Sequence, residues 1–265
     1  MRVRLIPPLV AAAFTSAAAM ADTAYVKPST FAPVLDQTLS VEASFSDDCC
    51  EPRYPVRTDT FQLIHPDGTR AAIEGVEHFA NATVFDVTVA APGTTRITTG
   101  ERLGRKGEYV HIDGTYHLIN SPDAEPVDIP DGTPILSSQT ATVTDAYVTV
   151  GLQDWGAIRI SVGRLAMTPM QHPNTVKAGD VFSGQVTLDG APVAGTTVAL
   201  TTESQRLHDA DALTVDTDAD GQFSVTFTDP GMHVLMVRLQ APAPAGAETD
   251  IRSYTTALTL DVSPE

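Results

Sequence analysis

A period of two in the hydrophobic pattern sets the limits on what this chain can fold into. In LSVEASF (39–45), Leu39, Val41, Ala43 and Phe45 share one face of an extended strand, because successive side chains point to opposite sides. TFQLI (60–64), VFDVTV (84–89) and ATVTDAYVTV (141–150) read as further strands, and a helical period is almost absent. Turn chemistry separates them. Pro66-Asp67-Gly68 follows the second of these strands. EYVHIDGTYHLI (108–119) reads as a hairpin, since Asp113-Gly114 supplies the positive φ angles of a type I′ turn. With those two residues as the turn, Ile112 faces Thr115, His111 faces Tyr116 and Val110 faces His117.

The second half continues in the same way. VFSGQVTLDGAPVAGTTVALTT (181–202) reads strand, turn, strand, and GQFSVTFTDPGMHVLMVRL (221–239) does the same around Pro230-Gly231. YTTALTLDV (254–262) places Tyr254, Leu258, Leu260 and Val262 on one side and is expected to close the sheet, after a surface loop at 240–250. Many short strands with turns every ~8–12 residues predict an all-β chain of two immunoglobulin-like or transthyretin-like β-sandwich domains. LAMTPMQHPNTVKAGD (165–180) breaks the alternation, so the predicted domains are 22–165 and 166–265.

Residues 1–21 have a different plan. Arg2 and Arg4 precede the apolar LIPPLVAAAF, and Ala19-Met20-Ala21 offers a small-residue cleavage site. This predicts a secretory signal peptide cut before Asp22 and a periplasmic mature protein. The apolar run is shorter than the ~20 residues of a membrane span, and no later segment is long and apolar enough, so no membrane insertion is expected. Loss of Arg2 and Arg4 lowers Lys+Arg from 16 to 14 against 33 Asp+Glu, a net charge of −19. Such a surface repels nucleic acid and anionic lipid and suits cations or basic partners.

Catalytic patterns are missing. The chain has no G-x-S-x-G elbow, no H-E-x-x-H pair, no phosphate-cradling glycine loop and no C-x-x-C, and it is read as a non-enzyme. Metal ligation has more candidates. DTDADG (216–221) puts Asp216, Asp218 and Asp220 at positions 1, 3 and 5 of a calcium loop. Position 12 is Phe227, so any calcium site is weak, and a polar β-turn explains the same residues. His65 and His172 each precede proline, at a strand end and at the domain junction. His111 and His117 fall on opposite faces of the hairpin and cannot easily share one ion. His233 runs in phase with Leu235, Val237 and Leu239 and reads as a core histidine. Imidazole suits a divalent transition metal without choosing among nickel, copper, zinc and iron.

Cys49 and Cys50, in SDDCCEP (46–52), are the only cysteines. In an oxidising compartment they can close a vicinal disulfide, ligate a soft metal, stay reduced or bridge two chains. The adjacency and the count favour the vicinal disulfide, and the acidic flanks predict an exposed turn around it.

Longer stretches carry a resemblance. DGAPVAGTTVAL (189–200), TDADGQF (217–223) and the Pro-Gly turn into HVLMVRL (233–239) resemble a carboxypeptidase-regulatory or transthyretin-like sandwich. AYVKPSTF (24–31), FQLIHPDGT (61–69), TDAYVTVG (144–151), MTPMQHPNTVKAGD (167–180) and YTTALTLDV extend the likeness over nearly the whole mature chain. That whole resembles the domain-of-unknown-function 4198 family of exported bacterial proteins. The resemblance implies a nickel- or cobalt-uptake accessory role, the label its members often carry. Many members have a histidine at the mature N-terminus, where this chain has Asp22. Two functions are therefore carried forward. One is an exported, non-enzymatic accessory of transition-metal uptake or handling, with a metal ion as ligand. The other is an envelope module that recognises a protein or glycan and has no metal role.

Overall fold

The computed structural model describes residues 22–47, 49–204 and 212–265; the expected signal peptide lies outside the described residues. Strands β1–β19 are numbered in chain order and fall into three sheets. The first sheet has the order β1 (Thr23–Pro28), β2 (Gln37–Ser46), β7 (Thr83–Val89), β6 (Glu77–His78), with β3 (Tyr54–Pro55) against the end of β2. The second has ten strands, running β16 (Leu213–Asp216), β15 (Thr197–Thr202), β18 (Gly231–Pro242), β19 (Ile251–Val262), β11 (Leu136–Val150), β8 (Gly93–Thr98), β4 (Gln62–Ile64), β5 (Arg70–Ala72). A hairpin of β9 (Arg102–Ile112) and β10 (Thr115–Ile119) joins it along β11. The third sheet holds β12 (Leu165–Pro169), β13 (Val181–Leu188), β14 (Ala191–Pro192) and β17 (Gln222–Thr226).

The protein is thus all-β, and the ten-stranded sheet is its middle layer. The alternation of β11 shows why. Ala146, Val148 and Val150 pack with Leu39, Val41 and Phe85 of the first sheet. Ala141 and Tyr147, on the opposite face, pack with Phe182 and Phe223 of the third. A single strand therefore lines two cores, as its fifteen-residue length and near-continuous burial allow. The 165/166 position coincides with the start of β12. Even so, the second core draws Ala141, Tyr147 and Ile158 from before it. β11 also pairs in parallel with β19, from Ser138↔Ile251 to Ala146↔Thr259, so the two halves share one sheet.

Four local readings change or gain detail in the structure. The 181–202 segment runs strand, turn, strand, but its two longer strands lie in different sheets. β13 turns at Asp189-Gly190 into the short β14, and β15 then crosses to the middle sheet. The Pro230-Gly231 bend likewise carries the chain from β17 in the third sheet to β18 in the second, as a corner between layers. β19 does not close the sheet. It lies between β18 and β11, and Thr256 and Thr259 are as buried as its leucines. The 240–250 loop is also tied down: Ser137 N–H and Oγ both donate to Asp250 Oδ2, at 2.8 and 2.6 Å.

The middle sheet contains a buried ion pair. Arg96 Nε donates to Asp145 Oδ1 at 2.8 Å, its Nη2 donates to Oδ2, and its Nη1 donates to Ile160 O at 2.5 Å. The guanidinium also lies over Tyr147, 5.7 Å from the ring centroid. Burial pulls the Arg96 pKa down, but the Asp145 carboxylate outweighs it and shifts the guanidinium upward. Residues 151–163 cover this face through Ala157, Ile158 and Val162.

Because β19 serves both halves, damage there should be felt by the whole molecule. Leu258 is 2% exposed and pairs with Leu235 on β18 and Asp145 on β11. Leu258→Ala should cost about 2–5 kcal/mol. In urea, Trp155 fluorescence and far-ultraviolet circular dichroism should move together to a lower midpoint. Two separated transitions would show that the halves unfold independently.

Candidate functional site

The β9–β10 hairpin is the most exposed regular element that carries several residues of possible function. Asp113 and Gly114 have φ of 51° and 83°, the two positive values a type I′ turn needs. The register is the one the turn predicts: Ile112↔Thr115, His111↔Tyr116, Val110↔His117, Tyr109↔Leu118. Cross-strand partners share a face, so Tyr109, His111, Tyr116 and Leu118 form one surface and Val110 and His117 the other. His111 and Tyr116 stack with ring centroids 4.5 Å apart and planes 30° apart. Among the described residues, β10 pairs only with β9. It is a sheet edge, a position that the sequence pattern of the hairpin does not reveal.

The structure disperses the other candidate ligands. His65 closes the turn at 65–69, where its N–H donates to Thr69 O at 2.9 Å. Asp218 Oδ1 accepts from Asp220 N and Gln222 N, at 2.9 and 2.8 Å, and Gly221 N donates to Asp218 O. Asp216 lies back on β16 and accepts from Thr197 Oγ1 at 2.8 Å. The three aspartates therefore form a side-chain-braced β-turn and the end of a strand, and they do not converge as a calcium loop. Among the described residues, no three His, Cys, Asp or Glu groups are placed to hold a metal ion together.

His172 is buried in the junction that follows β12, and both its ring nitrogens are used. Nδ1 accepts from Asn174 N–H at 3.3 Å, which leaves the proton on Nε2 to donate to Thr94 Oγ1 at 2.9 Å. Trp155 meets the ring edge-on at 5.6 Å. Asn174 Nδ2 donates to Phe31 O and Tyr147 O, at 3.2 and 2.8 Å, and Asp154 Oδ2 accepts from Thr94 N at 2.7 Å. His172 thus ties the start of the second half to the first core. His233 is core as well: its Nδ1 donates to Gly231 O at 2.9 Å, and Phe227 packs edge-on at 4.8 Å. Burial lowers both histidine pKa values, against smaller opposing effects of Asp154 on His172 and of Gly231 O, Asp229 and Asp261 on His233.

Cys49 and Cys50 are joined to each other by a disulfide. The expected exposed turn is not found at Cys49. It is 5% exposed and packs with Tyr25 of β1, Ala199 of β15, and Val234 and Met236 of β18. Cys50 is half-buried, with φ of 75°. The acidic neighbours suggested solvent, but Cys49 sits buried in the turn at 49–50. Two shallow grooves also mark the surface. One, of about 270 Å³, lies beside Lys27, Ser40 and Glu42; the other, of about 340 Å³, lies between Arg57, Asp59 and Arg102. Neither contains a candidate ligand. No helix among the described residues is long and apolar enough to cross a membrane.

Two measurements follow. The folded pKa values of His172 and His233 lie below the unfolded value of about 6.5. The unfolded state therefore takes up protons first. Their contribution is complete above about pH 6.5 and is lost as pH falls below it toward the folded values. Urea titrations should show stability falling over that window, with a shallower fall in His172→Gln; an unchanged slope would show that His172 does not titrate with unfolding. For the disulfide, intact mass should show no alkylatable thiol before reduction and two per monomer afterwards, with Cys50 reacting before the buried Cys49. Two reactive thiols in unreduced, metal-free protein would contradict the bond.

Comparison with known proteins adds a family. No curated protein matches the chain. Among solved structures, a DUF4785 family protein from Legionella pneumophila superposes with a TM-score of 0.25 at 11% identity, over 80% of this chain and 50% of that one. The chain therefore spans half the length of that protein. The D0-D1 domain of intimin gives 0.23 at 11% identity, over 89% and 97% of the two chains. Trypsin-activated alpha-2-macroglobulin from Escherichia coli gives 0.26 at 12%, over 90% and 16%. A family model matches residues 19–241, and on that match the chain belongs to the DUF4198 family, described as a domain of unknown function.

Proposed function

We propose that this protein is a non-catalytic interaction module of the cell envelope, which presents a sheet edge to a partner protein. The observation that carries the reading is the position of β10. It is the free edge of a hairpin joined to the middle sheet, and an aromatic surface of Tyr109, His111 and Tyr116 flanks it. Rigid β scaffolds recognise extended segments in this way, through main-chain bonds for affinity and alternate side chains for selectivity. The acidic surface and the expected export fit a basic partner outside the cytoplasm.

The alternative role as a metal-uptake accessory receives less support from the geometry. Its donors lie apart, and both nitrogens of His172 are engaged. A glycan ligand would favour a groove, and neither groove is lined by Tyr109, His111 or Tyr116.

A photo-crosslinking residue at His111 in the exported protein should give one discrete adduct in intact cells. The same probe at Thr187, on β13, should not. Equal labelling from both positions would overturn the reading. A thermal-shift series with Ni(II), Co(II), Cu(II), Zn(II), Fe(III) and Ca(II) tests the alternative. A metal at about 100 times its dissociation constant adds about 2.7 kcal/mol of stability, and a shift of that size would restore the metal role.

A further inference from the structure

We infer that β10 takes up an extended segment of a partner protein as an added strand, and that this segment alternates basic with apolar residues. The inference rests on the interaction-module reading and specifies its ligand.

The backbone fixes where such a strand would bond. In a hairpin with a two-residue turn, the residues flanking the turn form a hydrogen-bonded pair, and bonded and non-bonded pairs then alternate. Ile112↔Thr115 and Val110↔His117 are therefore bonded, and His111↔Tyr116 and Tyr109↔Leu118 are not. Tyr116 and Leu118 aim their N–H and C=O groups away from β9. Among the described residues, neither is hydrogen-bonded on that side.

Other edges of the molecule are blunted in the usual ways. β1 carries Lys27 and Pro28, and β12 ends in Pro169. β5, β6 and β14 are two or three residues long. β16 is four residues long and ends in Asp216. β17 shows polar Gln222, Ser224 and Thr226 on its outer face. β10, TYHLI, has no proline, glycine, lysine or carboxylate. It keeps five residues in register without a bulge. An edge left in this state is a template for pairing.

Charge selects the occupant. Beyond the net charge of the chain, the segment that follows β10 (120–135) contains Asp123, Glu125, Asp128 and Asp131 and no Lys or Arg. Asp113 adds a carboxylate at the turn. The cations of β9 sit toward its base, where Lys106 bonds Glu248 at 2.9 Å. Side chains of an added strand that fall on the aromatic face meet Tyr116 and Leu118. A Lys or Arg can lie over the tyrosine ring and an aliphatic side chain beside the leucine. A second copy could pair too, Tyr116 of one with Leu118 of the other about a two-fold at His117. That arrangement brings two strongly acidic chains together, so the basic segment is favoured.

The test uses the full mature protein and a short labelled peptide of alternating Arg and Val, with a Glu–Val peptide as control. Anisotropy should show binding of the Arg–Val peptide alone, weakening with added salt. Hydrogen exchange should slow at the Tyr116 and Leu118 amides. Leu118→Pro removes an outward N–H and the leucine contact of the added strand but no bond to β9, so it should lower affinity tenfold or more while leaving the thermal midpoint in place. If that variant unfolds, Leu118→Lys and a peptide N-methylated at alternate residues ask the same question. Binding unaffected by these changes, or protection elsewhere, would overturn the inference. So would a dimer, seen by sedimentation, that Leu118→Pro dissolves, because the occupant would then be a second copy. A His111 crosslink that persists in Leu118→Pro would remove the strand-addition inference and leave the interaction module standing. Loss of the crosslink specificity in the unmodified protein would remove both.

Discussion

The parallel pairing of β11 with β19 is the contact on which the rest of the molecule depends. Nine consecutive residues of β11, from Ser138 to Ala146, sit beside Ile251 to Thr259. Without it the middle sheet would divide into β16-β15-β18-β19 and β11-β8-β4-β5, and each outer sheet would cover half a layer. Parallel strands are usually buried on both faces, and here that requirement produces the three-layer order. The Arg96–Asp145 pair lies within the same region and exacts its own constraint. Removing one partner from a buried pair costs about 3–5 kcal/mol, since the other charge is left without compensation. The 151–163 cover and Tyr147 are therefore held to their positions as firmly as the strands are.

The strands themselves were legible because their cause is local. Alternation placed β2, β7 and β11, and a two-residue turn with positive φ dictated the β9–β10 register. Partnership between distant strands was not legible, because nothing in a strand's own residues names its neighbour. β19 shows the difficulty. Thr259, on the face opposite Leu258 and Leu260, looks like an outward position, yet it is 1% exposed and its Oγ1 accepts from Val26 N–H of β1 at 3.3 Å. The buried pair had a visible signal, a lone arginine in GTTRIT and a lone aspartate in TVTDAYV, each the one charged residue of a β-branched-rich strand.

The candidate site was legible in part. The opposite facing of His111 and His117 followed from the turn, and so did the stacking partner of His111. The edge status of β10 depends on where β11 spends its pairing capacity, with β9 and β8 on one side and β19 on the other. Residue type alone suggested ligands at His172 and the aspartate loop. In each case backbone groups two to four residues away claim the donor atoms first.

The position of β19 also bears on how the chain reaches its fold. The strand at the centre of the largest sheet, β19, joins β11 from more than a hundred residues further along the chain. Pairings of such sequence separation are slow to form, because loop closure must precede any gain. Until residues 251–262 emerge, β11 and β18, of fifteen and twelve residues, each present a long unpaired inner edge. A nascent chain that has not yet reached Ile251 therefore carries two adhesive edges in place of a sheet, and synthesis of β19 becomes the condition for burying them.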